Sequence, residues 1–113
     1  VTRRRVRWTR SARRDLEGIV AYLADRSPQA ALSILDRLEA RAKSLNTLAD
    51  RGRIVPELGR LHIRPYRELM LTPYRVIYRV AGTRVWVLVV VDARRNLEDV
   101  LLERLIRVEG HAS

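Results

Sequence analysis

The sequence predicts an α+β fold: an N-terminal strand, an antiparallel helical hairpin, a mainly antiparallel sheet and a short C-terminal helix. Three observations carry this. Two stretches with apolar residues at helical period meet at Ser27-Pro28. Three apolar runs of strand length follow, the last two separated only by Ala81-Gly82-Thr83. A final helical stripe begins after Asn96. The 113 residues are 47% hydrophobic, which suffices for one core and is short for two, so 1–113 is read as a single domain.

In the stretch from Arg3 to Thr9, Val6 and Trp8 alternate with Arg5 and Arg7, the pattern of a half-exposed strand. Thr9 or Ser11 then caps a helix whose stripe is Leu16, Ile19, Val20 and Leu23. Asp15 and Glu17 fall in its early turns, where the helix dipole favours negative charge. Ser27 and Pro28 suit the cap and first position of a second helix. Its period runs through Ala31, Ile34, Leu35, Leu38, Ala42, Leu45 and Ala49, and the short link makes the two helices antiparallel neighbours.

Asp50 to Gly59 has two glycines and a proline without a period and reads as a loop. Strands are expected at Arg67–Leu71, Tyr74–Val80 and Arg84–Val91. The second alternates, with Tyr74, Val76, Tyr78 and Val80 on one face and Arg75, Ile77 and Arg79 on the other. The third is apolar on both faces, as a central strand should be. Asn96 caps a last helix with the stripe Leu97, Val100, Leu101, Leu105 and Val108, ending near Gly110.

Charge narrows the function. Lys and Arg number 23 against 13 Asp and Glu, a net charge of +10, and Lys43 is the only lysine. A GC-rich genome explains arginine in place of lysine, but not the excess of base over acid. A domain this positive should attract a large anion: nucleic acid, an acidic protein or a membrane surface. With no cysteine, and with only His62 and His111 as imidazoles, thiol chemistry and a zinc site are not expected. The absence of cysteine fits a reducing cytoplasm. No apolar run approaches the roughly 18 residues of a membrane span, and no apolar segment of signal-peptide type follows the basic N-terminus. No phosphate loop, metal box or nucleophile triad is present, so no cofactor is expected.

Four segments carry a family resemblance. They are Ala12-Arg13-Arg14-Asp15-Leu16-Glu17-Gly18-Ile19-Val20-Ala21-Tyr22-Leu23; Gly52-Arg53-Ile54-Val55-Pro56-Glu57-Leu58-Gly59; Arg67-Glu68-Leu69 with Tyr74-Arg75-Val76-Ile77-Tyr78-Arg79-Val80; and Val91-Asp92-Ala93-Arg94-Arg95-Asn96-Leu97. In their order and spacing the chain resembles the ParE/RelE toxin superfamily of type II toxin–antitoxin systems, on the ParE side. The resemblance implies a RelE/ParE-like fold and a cytoplasmic toxin of a plasmid-stabilisation system. ParE-type toxins poison DNA gyrase, trapping it on cleaved DNA and blocking replication. RelE-type toxins cut messenger RNA in the ribosomal A site, and that activity is the alternative. The implied partner is a ParD-like antitoxin whose acidic tail wraps the toxin in a hetero-oligomer. Operator DNA would be reached only through that antitoxin.

The two activities make different chemical demands. RNA cleavage needs a base, an acid and a cation at the phosphate. Arg67, Arg75, Arg79, Arg94 and Arg95 could supply the cation, but arginine is a poor proton carrier at neutral pH. RelE-type nucleases commonly place a tyrosine or histidine just after the last strand, where this chain has Asp92-Ala93-Arg94-Arg95-Asn96-Leu97 and then a helix with neither residue. Glu68, Asp92 and Tyr74 could be drafted as proton carriers, yet each has a milder role: Glu68 beside an arginine, Asp92 bridged by one, Tyr74 in the core with Tyr78. Trp8 and Trp86 are assigned to core packing before base stacking, and His62 to an exposed loop or strand start. The sequence therefore favours an inhibitor that works by binding and has no catalytic residues. Arg94 and Arg95 are its first candidate contacts, with Arg67, Arg75 and Arg79 beside them.

Overall fold

The computed structural model describes residues 3–112, with side chains described as far as Arg104. Strand β1 (Arg5–Trp8) precedes helices α1 (Arg10–Ala24) and α2 (Pro28–Lys43) and a one-turn α3 (Leu45–Leu48). A 3-10 turn (Ala49–Arg51), a two-residue β2 (Arg53–Ile54) and a one-turn α4 (Pro56–Gly59) lead to β3 (Tyr66–Leu71), β4 (Tyr74–Ala81), β5 (Arg84–Asp92) and α5 (Leu97–Ala112).

Three helix starts follow from side-chain caps that satisfy backbone N–H groups left over by the helix. Thr9, rather than Ser11, caps α1: its Oγ1 accepts from the Ala12 N–H at 3.1 Å. The Ser27 Oγ accepts from the Ala30 N–H at 3.2 Å ahead of Pro28. The Asn96 Oδ1 accepts from the Asp99 N–H at 3.1 Å. The expected long second helix is interrupted at Ser44, whose hydroxyl donates back to the Arg41 carbonyl at 2.6 Å. The segment read as a loop, 50–59, holds β2 and α4 and the end of the 3-10 turn, each too short to leave a period. The last expected members of the α5 stripe, Leu105 and Val108, and the stop at Gly110 have side chains outside the described residues.

The sheet order is β1-β5-β4-β3-β2, with β1 parallel to β5 and the other pairs antiparallel. β5 thus lies inside the sheet, as its two apolar faces require. One face packs against α1, α2 and α3: Leu16, Leu38 and Leu45 meet Val76, Tyr78, Val85 and Val87. The opposite face carries a smaller core of Val55, Ile77, Val89 and Val91 with Leu97 and Val100 of α5. Helices on both faces therefore cover a sheet that would otherwise leave its second apolar face in water.

A β-bulge resets the alternation of β5 between the two cores. Ile77 faces Val89 and Tyr78 faces Val87, so Leu88 is an extra residue without an opposite number. Side-chain parity shifts there: Val85, Val87 and Val90 join the first core, Val89 and Val91 the second. The bulge also frees two backbone groups. The Val90 N–H donates to Asp15 Oδ2 at 2.9 Å, and Arg104 Nη1 donates to the Leu88 carbonyl at 2.9 Å. Arg104 also pairs with Asp15, tying α5 to α1. Asp15 therefore serves the bulge and not the α1 dipole: α1 has no acidic residue in its first turn.

Candidate target-binding site

An open cleft of about 830 Å³ lies where the C-terminal end of β5 meets α1. Ile19, Leu23 and Val91 give it apolar walls, and Arg14, Arg94 and Arg95 stand among its lining residues. Gly18 faces open space, since a Cβ there would meet no atom within 4 Å. Tyr22 is exposed at the side and carries the Arg26 guanidinium 4.0 Å above its ring.

The turn after β5 is held firmly. The Ala93 N–H donates to the Pro73 carbonyl at 2.7 Å, and the Arg95 N–H to the Asp92 carbonyl at 3.0 Å. Asp92 accepts three hydrogen bonds from Arg94: from the backbone N–H at 2.9 Å, Nε at 2.9 Å and Nη2 at 2.7 Å. The Arg94 side-chain bonds, then its backbone bond, lower the Asp92 pKa to about 2, and the side-chain bonds to Asp92, then its charge, raise that of Arg94. Arg94 nonetheless projects into water, as does Arg95, whose Nη2 is 3.8 Å from Glu103 Oε1. Tyr74 backs the cleft, its pKa raised by burial and then by the nearby Asp92 carboxylate. These groups can present two oriented guanidiniums beside an apolar trough, a suitable surface for an acidic or phosphorylated partner.

The five candidate arginines do not converge. Only Arg94 and Arg95 line the cleft. Arg67 donates to the Gly52 carbonyl at 2.8 Å and so holds the loop before β2. Arg79 is exposed on the other sheet face, 5.9 Å above the Tyr66 ring. Arg75 is buried. Its Nη1 and Nη2 each donate to a Glu57 oxygen at 2.8 Å, and Nε donates to Glu68 at 2.8 Å. Glu68 is only 1% exposed and accepts a further bond from Arg53 Nε at 2.6 Å. Arg75 already has two carboxylate partners and no access to a target. Its partners lie 7 and 18 residues away in sequence, so alternation with apolar neighbours could not reveal its burial.

Sequence reading missed Gly18, Tyr22 and Arg14 as cleft residues. Tyr22 and Gly18 carried a signal: a large ring and a glycine, four apart and off the apolar stripe, share one helix face. Asp15, read as a dipole partner, also lines the cleft.

An α+β fold with helices on both faces of a mainly antiparallel sheet and a short C-terminal helix is the architecture of ParE/RelE-type toxins. The model of the ParE toxin of the type II toxin–antitoxin system parDE matches residues 6–97, and the chain belongs to that family. It is 34% identical over 103 residues to the protein of Sinorhizobium fredii named "Putative toxin Y4kP", covering 89% of this chain and all of that one. Among solved structures it resembles the chromosomal ParDE toxin–antitoxin system from P. aeruginosa, with a TM-score of 0.62 and 26% identity over 79% of this chain and 95% of that one. The toxin–antitoxin complex RelBE2 from Mycobacterium tuberculosis shares the fold, with a TM-score of 0.59 and 24% identity over 80% of this chain and 99% of that one.

Proposed function

We propose that this chain is the toxin of a type II toxin–antitoxin pair and that it inhibits DNA gyrase by binding, through the cleft bearing Arg94 and Arg95. The observation that carries the reading is the state of the would-be proton carriers. Asp92 is held ionised near pKa 2 by Arg94, too weak a base and never an acid at neutral pH. The Glu68 oxygens are taken by Arg53 and Arg75. The Tyr78 hydroxyl donates to the Ala49 carbonyl at 2.5 Å and accepts from the Gly52 N–H at 3.0 Å inside the core. Burial raises the pKa of Tyr74 further from neutrality. These restraints favour recognition over RNA cleavage.

A ParD-like antitoxin is the expected partner. An acidic segment that folds on binding would find both charge and apolar anchorage on this surface. Such a complex would be a cytoplasmic hetero-oligomer that touches operator DNA through the antitoxin. The test is induction in a bacterial host, with purified toxin added to gyrase and plasmid. Growth arrest relieved by the neighbouring antitoxin, and more gyrase trapped on cleaved plasmid, are the expected results. Unchanged gyrase with mRNA cut on ribosomes would replace this reading by the RelE-like one.

A further inference from the structure

One register row crosses four strands as Arg7, Trp86, Arg79, Tyr66: Arg7 pairs with Trp86, Trp86 with Arg79, and Arg79 with Tyr66. Side chains in such a row stand on one sheet face, about 4.8 Å apart from strand to strand. Their sequence neighbours Val6, Trp8, Val85, Val87, Tyr78 and Val80 pack under the α1/α2 hairpin. The row therefore lies on the opposite face. Arg7 and Arg79 are exposed, while Trp86 and Tyr66 are half-buried. Arg5 and Arg84, paired in the same parallel ladder and also exposed, extend the positive surface. None of these four arginines has a carboxylate partner among the described residues. Beside Tyr66, an apolar hollow of about 370 Å³ is walled by Leu58, Ile63, Leu88 and Leu101.

Core packing accounts for part of this arrangement, since Tyr66 leans on the smaller core. Trp86 lies on an interior strand, yet among the described residues it belongs to neither core and it remains partly open to water. Two aromatic rings alternate on a sheet face with two guanidiniums that meet no carboxylate among the described residues, Arg79 lying 5.9 Å from the Tyr66 ring, which an incoming base would share or displace. Ring faces stack bases, and guanidiniums pair with phosphates or stack in turn.

We propose that the row Arg7, Trp86, Arg79 and Tyr66 is a platform for single-stranded nucleic acid. Bases stack on Trp86 and Tyr66, while Arg7, Arg79, Arg5 and Arg84 meet the phosphates. Stacking and phosphate contacts read neither base edges nor the sugar, so the platform accepts ribose and deoxyribose strands of any sequence. A duplex hides its base faces and binds less well. The platform lies at the N-terminal end of β5 and Arg94 and Arg95 follow its C-terminal end, so this inference does not depend on the gyrase reading.

The test uses the full chain with fluorescent dodecamers of deoxythymidine and uridine. Both should bind alike, with log K against log salt falling at a slope of about −3 for four phosphate contacts. A duplex of equal length should bind about tenfold more weakly. Arg7→Ala with Arg79→Ala should lower affinity about tenfold or more, whereas Arg37→Ala with Arg51→Ala removes the same charge from the helical side and should change it less than about twofold. Bound strand should quench tryptophan fluorescence in the parent chain but not in Trp86→Phe, which preserves an aromatic ring for folding. No binding, equal losses from the two arginine pairs, or duplex bound as tightly as single strand would overturn the proposal. So would polyglutamate displacing the strand at equal charge concentration, which would reassign the surface to an acidic protein.

Discussion

The Tyr78 hydroxyl lies where residue 52 has no room for a side chain: a Cβ on Gly52 would stand 2.3 Å from that oxygen and 2.7 Å from the Glu68 carbonyl. Gly52 has φ −69° and ψ 150°, open to any residue, so its constraint is steric and comes from Tyr78 and β3. Gly52→Ala should therefore destabilise by about 2–3 kcal/mol through overpacking. Tyr78→Phe strands the Ala49 carbonyl and the Gly52 N–H and should cost about 1–3 kcal/mol. Because removing the hydroxyl also removes the closest clash, the double variant should lose less than the sum of the two. Urea unfolding of the four proteins measures that coupling; strict additivity would mean the contact does not govern position 52.

The buried ion cluster should be costly to break from one side. Arg75→Met leaves Glu68 buried with Arg53 alone and should cost about 3–5 kcal/mol, read as a lower urea midpoint at unchanged slope. Adding Glu68→Leu to that variant should restore part of the loss, since the fully buried carboxylate is then gone and only the less buried Glu57 lacks its arginine.

Glu57 predicts a pH dependence. The Arg75 hydrogen bonds, opposed by partial burial, lower its pKa to about 2. A carboxylate with a depressed pKa stabilises the fold above its unfolded value of about 4.3 and loses that contribution as pH falls toward 2. Stability should therefore drop between about pH 4.5 and pH 2, by at most about 3 kcal/mol from this group. Arg75→Met should flatten that part of the profile; an unchanged acid limb would place its origin in other carboxylates.

Gly18 separates folding from recognition. It sits within α1, and nothing lies within 4 Å of a Cβ built there. Gly18→Ala should stabilise the protein by about 0.5–1 kcal/mol through helix propensity. Gly18→Trp should fold and yet abolish toxicity by filling the cleft. A fully toxic, folded Gly18→Trp would move the target surface elsewhere.

Among the residues lining that cleft, Arg94→Ala with Arg95→Ala should lower toxicity strongly, because a charged hot-spot contact is worth about 2 kcal/mol or more and a peripheral charge little. Arg3→Ala with Arg4→Ala is the matched control. Circular dichroism should show both pairs folded, and equal growth phenotypes would mean that bulk charge drives binding.

Helical stripes and the alternation of β4 were legible because each is a local period on a surface with one buried side. Even the two-faced nature of β5 was visible in Arg84–Val91. Its bulge was not, since a run apolar at every position hides a change of parity. Nor was its parallel partnership with β1, a pairing across most of the chain. At the site, Arg94 and Arg95 stood out by position before a helix cap. Arg75 and Arg79 looked alike in the same alternating strand, but one faces Glu57 and Glu68 and the other faces water. Only the register of β3 and the placement of α4 tell them apart. The apolar sequence neighbours of Trp86 point to the core, whereas its cross-strand neighbours are Arg7 and Arg79.

Leu88 can be lost without scrambling the sheet, because it is the one residue of the strand that has no opposite number. Ile77 faces Val89 and Tyr78 faces Val87, so deleting Leu88 would close the bulge into a regular ladder, with Val89 and Val91 still toward α5 and Val90 still toward the helical hairpin. What such a deletion would remove is the anchorage at the bulge, where Asp15 accepts from the Val90 N–H and Arg104 donates to the Leu88 carbonyl. The extra residue is thus a clasp between the sheet and the helices α1 and α5 on its two sides, and the folded ladder underneath does not need it.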